Sequence, residues 1–202
     1  MSEYKIKDSK SVHNAVVYGL DESIRRAKFP MAVDTEKPTT DLTKGIKSLA
    51  QSGAGEGHDN WLNGVIVQFD WTFSNKLSVE LERYHFLDFV SSQSTMHRIT
   101  KFNLDDSYSE YVDKRIVEIM KEKVNIYNSG DDRDEETTRK LYLEILYSNP
   151  CGFTMTAGMT TNYRQLKTIY RQRRNHRLPE WREFCEWIET LPHSELITGE
   201  GN

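Results

Sequence analysis

The clearest pattern along the chain is strict alternation. Val65, Val67, Phe69, Trp71 and Phe73 alternate with Ile66, Gln68, Asp70 and Thr72. Period two in β-branched and aromatic residues predicts a strand with one buried face, turned by Ser74-Asn75. The period then lengthens. Leu77 to Val90 reads as a helix apolar on more than one side, suited to packing between elements or between subunits. Val112, Ile116, Ile119, Met120, Val124 and Tyr127 mark an amphipathic helix, and Asn128 to Asp132 a loop. Asp134, Glu135 and Glu136 open the next helix at its dipole-favoured end, and Pro150 lies beyond it.

Toward the C-terminus, Cys151 to Thr161 reads as a loop or short strand. Asn162-x-x-Gln165 has the form of a capping box and predicts a helix start. Pro179 suits the first turn of a final helix that buries Phe184, Trp187, Ile188 and Leu191 and stops before Pro192. The first forty residues are weakly patterned; a short helix follows, with Leu42, Ile46 and Leu49 on one face. Ser52 to Gly57 lacks the spacing and preceding strand of a dinucleotide fingerprint and reads as a hinge loop. The expectation is one α+β domain with a central antiparallel or mixed sheet and long helices. It divides into an N-terminal part at 1–57 with the glycine-rich loop, a core at 58–192 and a flexible tail at 193–202.

A chain of 202 residues can bury a sizeable core without staples. Cys151 and Cys185 form no CxxC pair, which excludes a disulfide framework or zinc finger. His58, His85, His97 and His176 lack metal-ligand spacing, so no metal site is expected. No apolar run approaches a membrane span and the N-terminus is charged, so a soluble, cytoplasmic protein is expected. Neither a Walker loop nor a Gly-x-Ser-x-Gly elbow is present.

Charge sharpens the picture. The net formal charge is −4, which argues against a general nucleic-acid coat. Yet Asn162 to Glu183 carries seven bases (Arg164, Lys167, Arg171, Arg173, Arg174, Arg177 and Arg182) against two acids. Such a segment suits phosphate, or forms a solvated face balancing the acid-rich stretch from Asp105 to Glu144. On a helix starting at Asn162, Arg173 falls within about 20° of the stripe marked by Asn162 and Ile169. Arg164, Lys167, Arg171 and Arg174 fall on the other side. An arginine on an apolar stripe needs an anion or an internal partner. Asn162 reads as a helix cap or as a ligand-binding residue.

Met96-His97-Arg98, followed by Asn103 and Ser107, resembles the Arg-His-Arg…Ser signature of the flavin-dependent thymidylate synthases. The Pro150…Asn162-x-Arg164…Arg173 spacing is similar to that family's C-terminal site segment, and His58 sits roughly where the family has an early site histidine. The resemblance implies an α/β homotetramer with flavin sites built from several subunits. It also implies FAD as cofactor, NADPH and methylenetetrahydrofolate as co-substrates, and methyl transfer to a pyrimidine deoxynucleotide, dUMP or a related one. By position, His97, Arg98, Asn162, Arg164 and Thr168 would hold flavin, and Ser107 and Arg173 the nucleotide. Arg173 and His58 would be catalytic. The chain departs from the pattern at Met96 and Leu146, where the family has arginines, and at Thr168, where asparagine is frequent. The alternative is a nucleotide- or nucleic-acid-binding protein that keeps this fold and has lost the reaction. A third possibility is an interaction protein in which Arg173 is internally paired.

Overall fold

Strand β2 (Val12–Tyr18) pairs antiparallel with β1 (Glu3–Lys5) on one side and with β3 (Ile66–Ser74) on the other. The computed structural model describes residues 3–53, 55–130 and 132–199. With β4 (Leu87–Ser92) and β5 (Thr154–Asn162), these strands form a five-stranded sheet in the order β1-β2-β3-β5-β4. The alternation read from β3 is its burial pattern: Val65, Val67, Phe69, Trp71 and Phe73 are all buried, and Gln68 is exposed. Register with β2 shifts between His13 and Val16. There Asn14 takes φ 53°, and its side chain donates to Asp70 Oδ2 at 2.8 Å. An extra residue in a left-handed conformation is how a strand absorbs a bulge.

The helices are α1 (Leu20–Arg26), α2 (Lys44–Ala50), α3 (Asn75–Leu81), α4 (Thr95–Arg98), α5 (Lys114–Asn128) and α6 (Glu135–Ser148). After β5 come α7 (Tyr163–Arg173), α8 (Pro179–Ile188) and α9 (Glu195–Thr198). Between β2 and α1 the chain must reverse tightly. Gly19 caps α1 at φ 72°, where an added Cβ would lie 2.6 Å from Gly64 O. No other residue type meets both demands.

Two compact units divide the chain. One holds the residues up to Trp71, Arg83–Val90 and those from Gly158 onward; the other holds Thr72–Glu82 and Ser91–Ala157. In the first, Trp71 stacks on Phe184 with centroids 4.1 Å apart, and Phe184 on Trp187 at 5.2 Å. Trp181 meets Trp71 edge-on at 5.9 Å. These rings are buried; burying a side chain of this size stabilises by roughly 1.5–3 kcal/mol. The core of the second unit joins Ile99, Leu104, Met120, Val124, Ile145 and Phe153. Phe102 and Tyr108 both meet Phe153 edge-to-face.

Several elements differ from their sequence expectation. The helix expected over Leu77–Val90 is two elements: α3 stops at Leu81, and β4 begins at Leu87. Ser74 caps α3, accepting from Leu77 N–H at 3.2 Å. Residues 86–90 (Phe-Leu-Asp-Phe-Val) are aromatic and branched, so they extend at the sheet edge beside β5 instead of continuing a helix. His97 and Arg98 therefore follow a strand rather than a long helix. Residues 151–161, read as a loop or short strand, mostly belong to the nine-residue β5. The weakly patterned first forty residues supply β1, β2 and α1. Pro179 does open α8, but α8 is not the final helix. Within the expected flexible tail, α9 forms and buries Leu196 and Ile197; residues 200–202 lie outside the described residues.

Candidate functional site

Helix α7 begins where the capping box places it. Asn162 Oδ1 accepts from Gln165 N–H at 2.8 Å, and Asn162 is buried. Its amide oxygen is thus a cap. Two residues on, the Arg164 Nε donates to Asp59 Oδ1 at 3.1 Å. One turn further, Lys167 is buried, and its ammonium donates to Asp59 Oδ2 at 2.7 Å, Ala50 O at 2.6 Å and Ser52 O at 3.0 Å. Three donors meet three acceptors, so the buried charge is fully satisfied. Burial raises the Asp59 pKa, but the Lys167 hydrogen bond and charge, with Arg164 adding to them, hold it below the ordinary value of 3.8.

Lys167 corrects the wheel, which placed it on the solvent side. Tyr163 and Tyr170 are buried together with Leu166 and Ile169, and these rings widen the buried arc until it reaches Lys167, about 140° from Asn162. Arg173, which lies within the apolar stripe by angle, is half-buried at the helix end. Its Nε donates to Tyr84 OH at 2.6 Å, and Tyr84 OH donates to Gln172 Oε1 at 3.0 Å. The guanidinium lies over the Trp181 ring at 5.1 Å and the Tyr84 ring at 5.6 Å. Thr168 is exposed and its hydroxyl donates back to Arg164 O at 3.3 Å. His58 is exposed in the loop, next to buried Asp59. Asn162, Arg164 and Thr168 therefore share the first turns of α7, and Asp59 brings the His58 loop to them.

The remaining residues belong to the second unit. His97 and Arg98 end the four-residue α4, both exposed, and α4 buries no residue of its own. Tyr142 OH donates to Met96 O at 3.0 Å. Burial raises the Tyr142 pKa, the neighbouring Tyr127 adds to this, and the Arg98 charge opposes it. Ser107 is buried; its hydroxyl donates to Asn103 O at 2.6 Å, and its carbonyl accepts from Thr154 N–H at 2.8 Å. Among the described residues no group of three His, Cys, Asp or Glu could hold a metal ion, and no helix is long and apolar enough to cross a membrane.

Sequence reasoning missed Asp59, Tyr84 and Trp181 as partners. The signal available for Asp59 was an acid beside the glycine-rich loop, and for the rings a cationic end of α7 that needed a surface. Neither identifies which residues meet.

No family model matches the sequence, and no curated protein does. Solved structures do match. A flavin-dependent thymidylate synthase of Helicobacter pylori, complexed with FAD and dUMP, is similar over 99% of this chain and 98% of its own, with TM-score 0.65 and 14% identity. A second structure of the Helicobacter pylori enzyme with FAD and dUMP gives TM-score 0.67 over 94% of this chain and 97% of that one, again at 14% identity. The match takes in β1, β2 and α1, which precede every residue that carries the sequence resemblance. At this sequence distance the likeness is one of architecture, and the architecture of the chain is that of the flavin-dependent thymidylate synthases.

Proposed function

We propose that the chain is a divergent flavin-dependent enzyme that methylates a pyrimidine deoxynucleotide, dUMP or a related one. Methylenetetrahydrofolate would supply the carbon and NADPH the electrons. The observation that carries this reading is the fold likeness, over nearly the whole chain, to an enzyme whose structures hold FAD and dUMP. The donor set fits FAD. In one unit Arg164, with its side chain 37% exposed, offers a cationic donor suited to a dinucleotide's phosphates; in the other, exposed His97 and Arg98 offer donors of the same kind. Reduced flavin, when bound, supplies the hydride that completes the methyl group.

The chain's own residues orient and polarise. Asn162 fixes the start of α7, and Thr168 lies one turn beyond Arg164 on the same exposed surface. Arg173, held by the Tyr84 hydroxyl and the two rings, keeps one orientation before substrate arrives, so its charge acts on the pyrimidine without reorganisation. The Ser107 hydroxyl hydrogen is committed to Asn103 O, so its oxygen is left as an acceptor for nucleotide. His58 is the exposed titratable group beside the α7 start. A homotetramer belongs to the same reading; it is supported by Ile116 and Ile119 of α5 and Tyr147 of α6, all exposed in the single chain.

The purified protein is expected to show an oxidised-flavin spectrum, or a rise in melting temperature with added FAD. A colourless protein with no shift overturns the reading. Arg173→Ala should abolish turnover and leave the flavin spectrum intact. A second reading has its own support: Met96 and Leu146 replace arginines, and Asp59 already engages Arg164. Flavin or nucleotide binding with no methylation of dUMP and no NADPH oxidation would favour it, a binding protein on the same fold.

A further inference from the structure

The ion cluster at the start of α7 has an arrangement that stability alone does not require. Asp59 and Lys167 have side chains 9% and 4% exposed, whereas Arg164 is 37% exposed. A buried carboxylate pairing with Arg164 alone would cancel the charge of that arginine. Here Asp59 divides its two oxygens, Oδ2 to Lys167 and Oδ1 to Arg164. The trio therefore keeps one net positive charge. Lys167 is spent inward on Asp59 and two carbonyls, so the surplus is displayed at the exposed guanidinium. The bond from Arg164 to Asp59 is made through Nε, which constrains the plane of the guanidinium.

Resting on the reading of Arg164 as a flavin-holding residue, we propose that Lys167 is a positioning and charge-setting residue for that function. Lys167 neutralises Asp59 from the interior, so Asp59 can orient Arg164 without cancelling the charge it offers to the phosphates of a dinucleotide. Lys167 itself never touches the ligand. The Ala50 and Ser52 carbonyls, held by the same ammonium, tie the start of the glycine-rich loop to α7 in the same stroke.

The test uses the full-length protein and FAD as the probe, titrated by flavin fluorescence at two salt concentrations, with inorganic pyrophosphate as competitor. Lys167→Met should weaken FAD by about tenfold and flatten the salt dependence, since the trio becomes neutral. Asp59→Asn added to Lys167→Met restores one net charge and should recover most of that loss together with the wild-type salt dependence; the salt slope is the readout that a purely structural lysine would not move. Wild-type affinity in a folded Lys167→Met protein, or an unrecovered loss in the double variant, overturns the proposal. If Lys167→Met does not fold, Asp59→Asn and the double variant decide it. The single variant carries one more charge and should bind FAD more tightly; equal affinity overturns the proposal. Arg164→Ala separates the two levels. Unchanged FAD affinity there removes Arg164 from the flavin site and the proposal with it, whereas lost affinity with no effect at Lys167 removes the proposal alone.

Discussion

Helices α7 and α4 carry the two halves of one sequence resemblance and are held by opposite means. α7 runs eleven residues, is capped by Asn162, and buries Tyr163, Leu166, Lys167, Ile169 and Tyr170. α4 runs four residues and buries none. On α7 the candidate ligands are set by partners: Arg164 by Asp59, Arg173 by Tyr84 and Trp181. On α4, His97 and Arg98 extend into solvent from a backbone pinned at Met96 O and followed by buried Ile99. The lesson is about cost. Preset side chains lose their entropy on folding, whereas exposed ones lose it when ligand binds. The same substitution should therefore cost stability as well as function in α7, and act on binding alone in α4.

The largest effect is expected at the buried cluster. Lys167→Ala leaves Asp59 Oδ2 and the Ala50 and Ser52 carbonyls without their donor. Breaking a buried pair from one side costs about 3–5 kcal/mol. Chemical denaturation should show that loss, and a loss below about 1 kcal/mol would show the pair to be effectively solvated and end the contrast with α4.

The next effect is on acid stability. Asp59 has a folded pKa below its ordinary value of 3.8. A depressed carboxylate contributes stability that is complete above the unfolded pKa and is lost as pH falls through the folded one. Wild-type stability should fall below pH 3.8 along a limb that Asp59→Asn flattens. Identical acid limbs in the two proteins would place the acid-sensitive groups elsewhere.

These expectations also mark what the sequence could and could not convey. β3 and the start of α7 were legible because period two, and a capping residue followed by Gln165, are local signals. α5 and α8 were legible from their apolar spacing. β4 was not: a short apolar run with aromatic and branched residues fits a helix or an edge strand, and its pairing with β5 is decided by residues more than sixty positions away. Lys167 was misassigned because a lysine on a helix is ordinarily solvated, and its acceptors come from Ala50, Ser52 and Asp59, far back in the chain. The ring cage around Arg173 joins positions 84, 173 and 181, and no spacing rule links them. At the candidate site, residue types were readable and partners were not.

A moderate effect is expected at the cap. Asn162→Ala removes the acceptor for Gln165 N–H and should cost about 1 kcal/mol, with little recovered by water because the residue is buried. Asn162→Asp should restore most of this, since a carboxylate caps equally well and favours the dipole. If Asn162→Asp keeps stability but loses flavin, the amide contributes to binding as well as to the cap.

The smallest effect on stability is expected on α4. Arg98 is exposed and ends a helix that buries nothing, so Arg98→Ala should change unfolding free energy by no more than about 0.5 kcal/mol. Burial and Tyr127 hold the Tyr142 phenol up while the Arg98 charge works against them, so removing that charge should raise the Tyr142 pKa further, readable from its ultraviolet titration. That titration reports the local field even if stability does not move. Flavin affinity is the discriminating measurement: a free side chain must be ordered by ligand, so its loss should appear almost wholly as weaker FAD binding, steepest at low salt. A destabilised protein with unchanged FAD affinity would reverse the assignment, making Arg98 part of the scaffold and leaving α7 as the helix that meets the ligand.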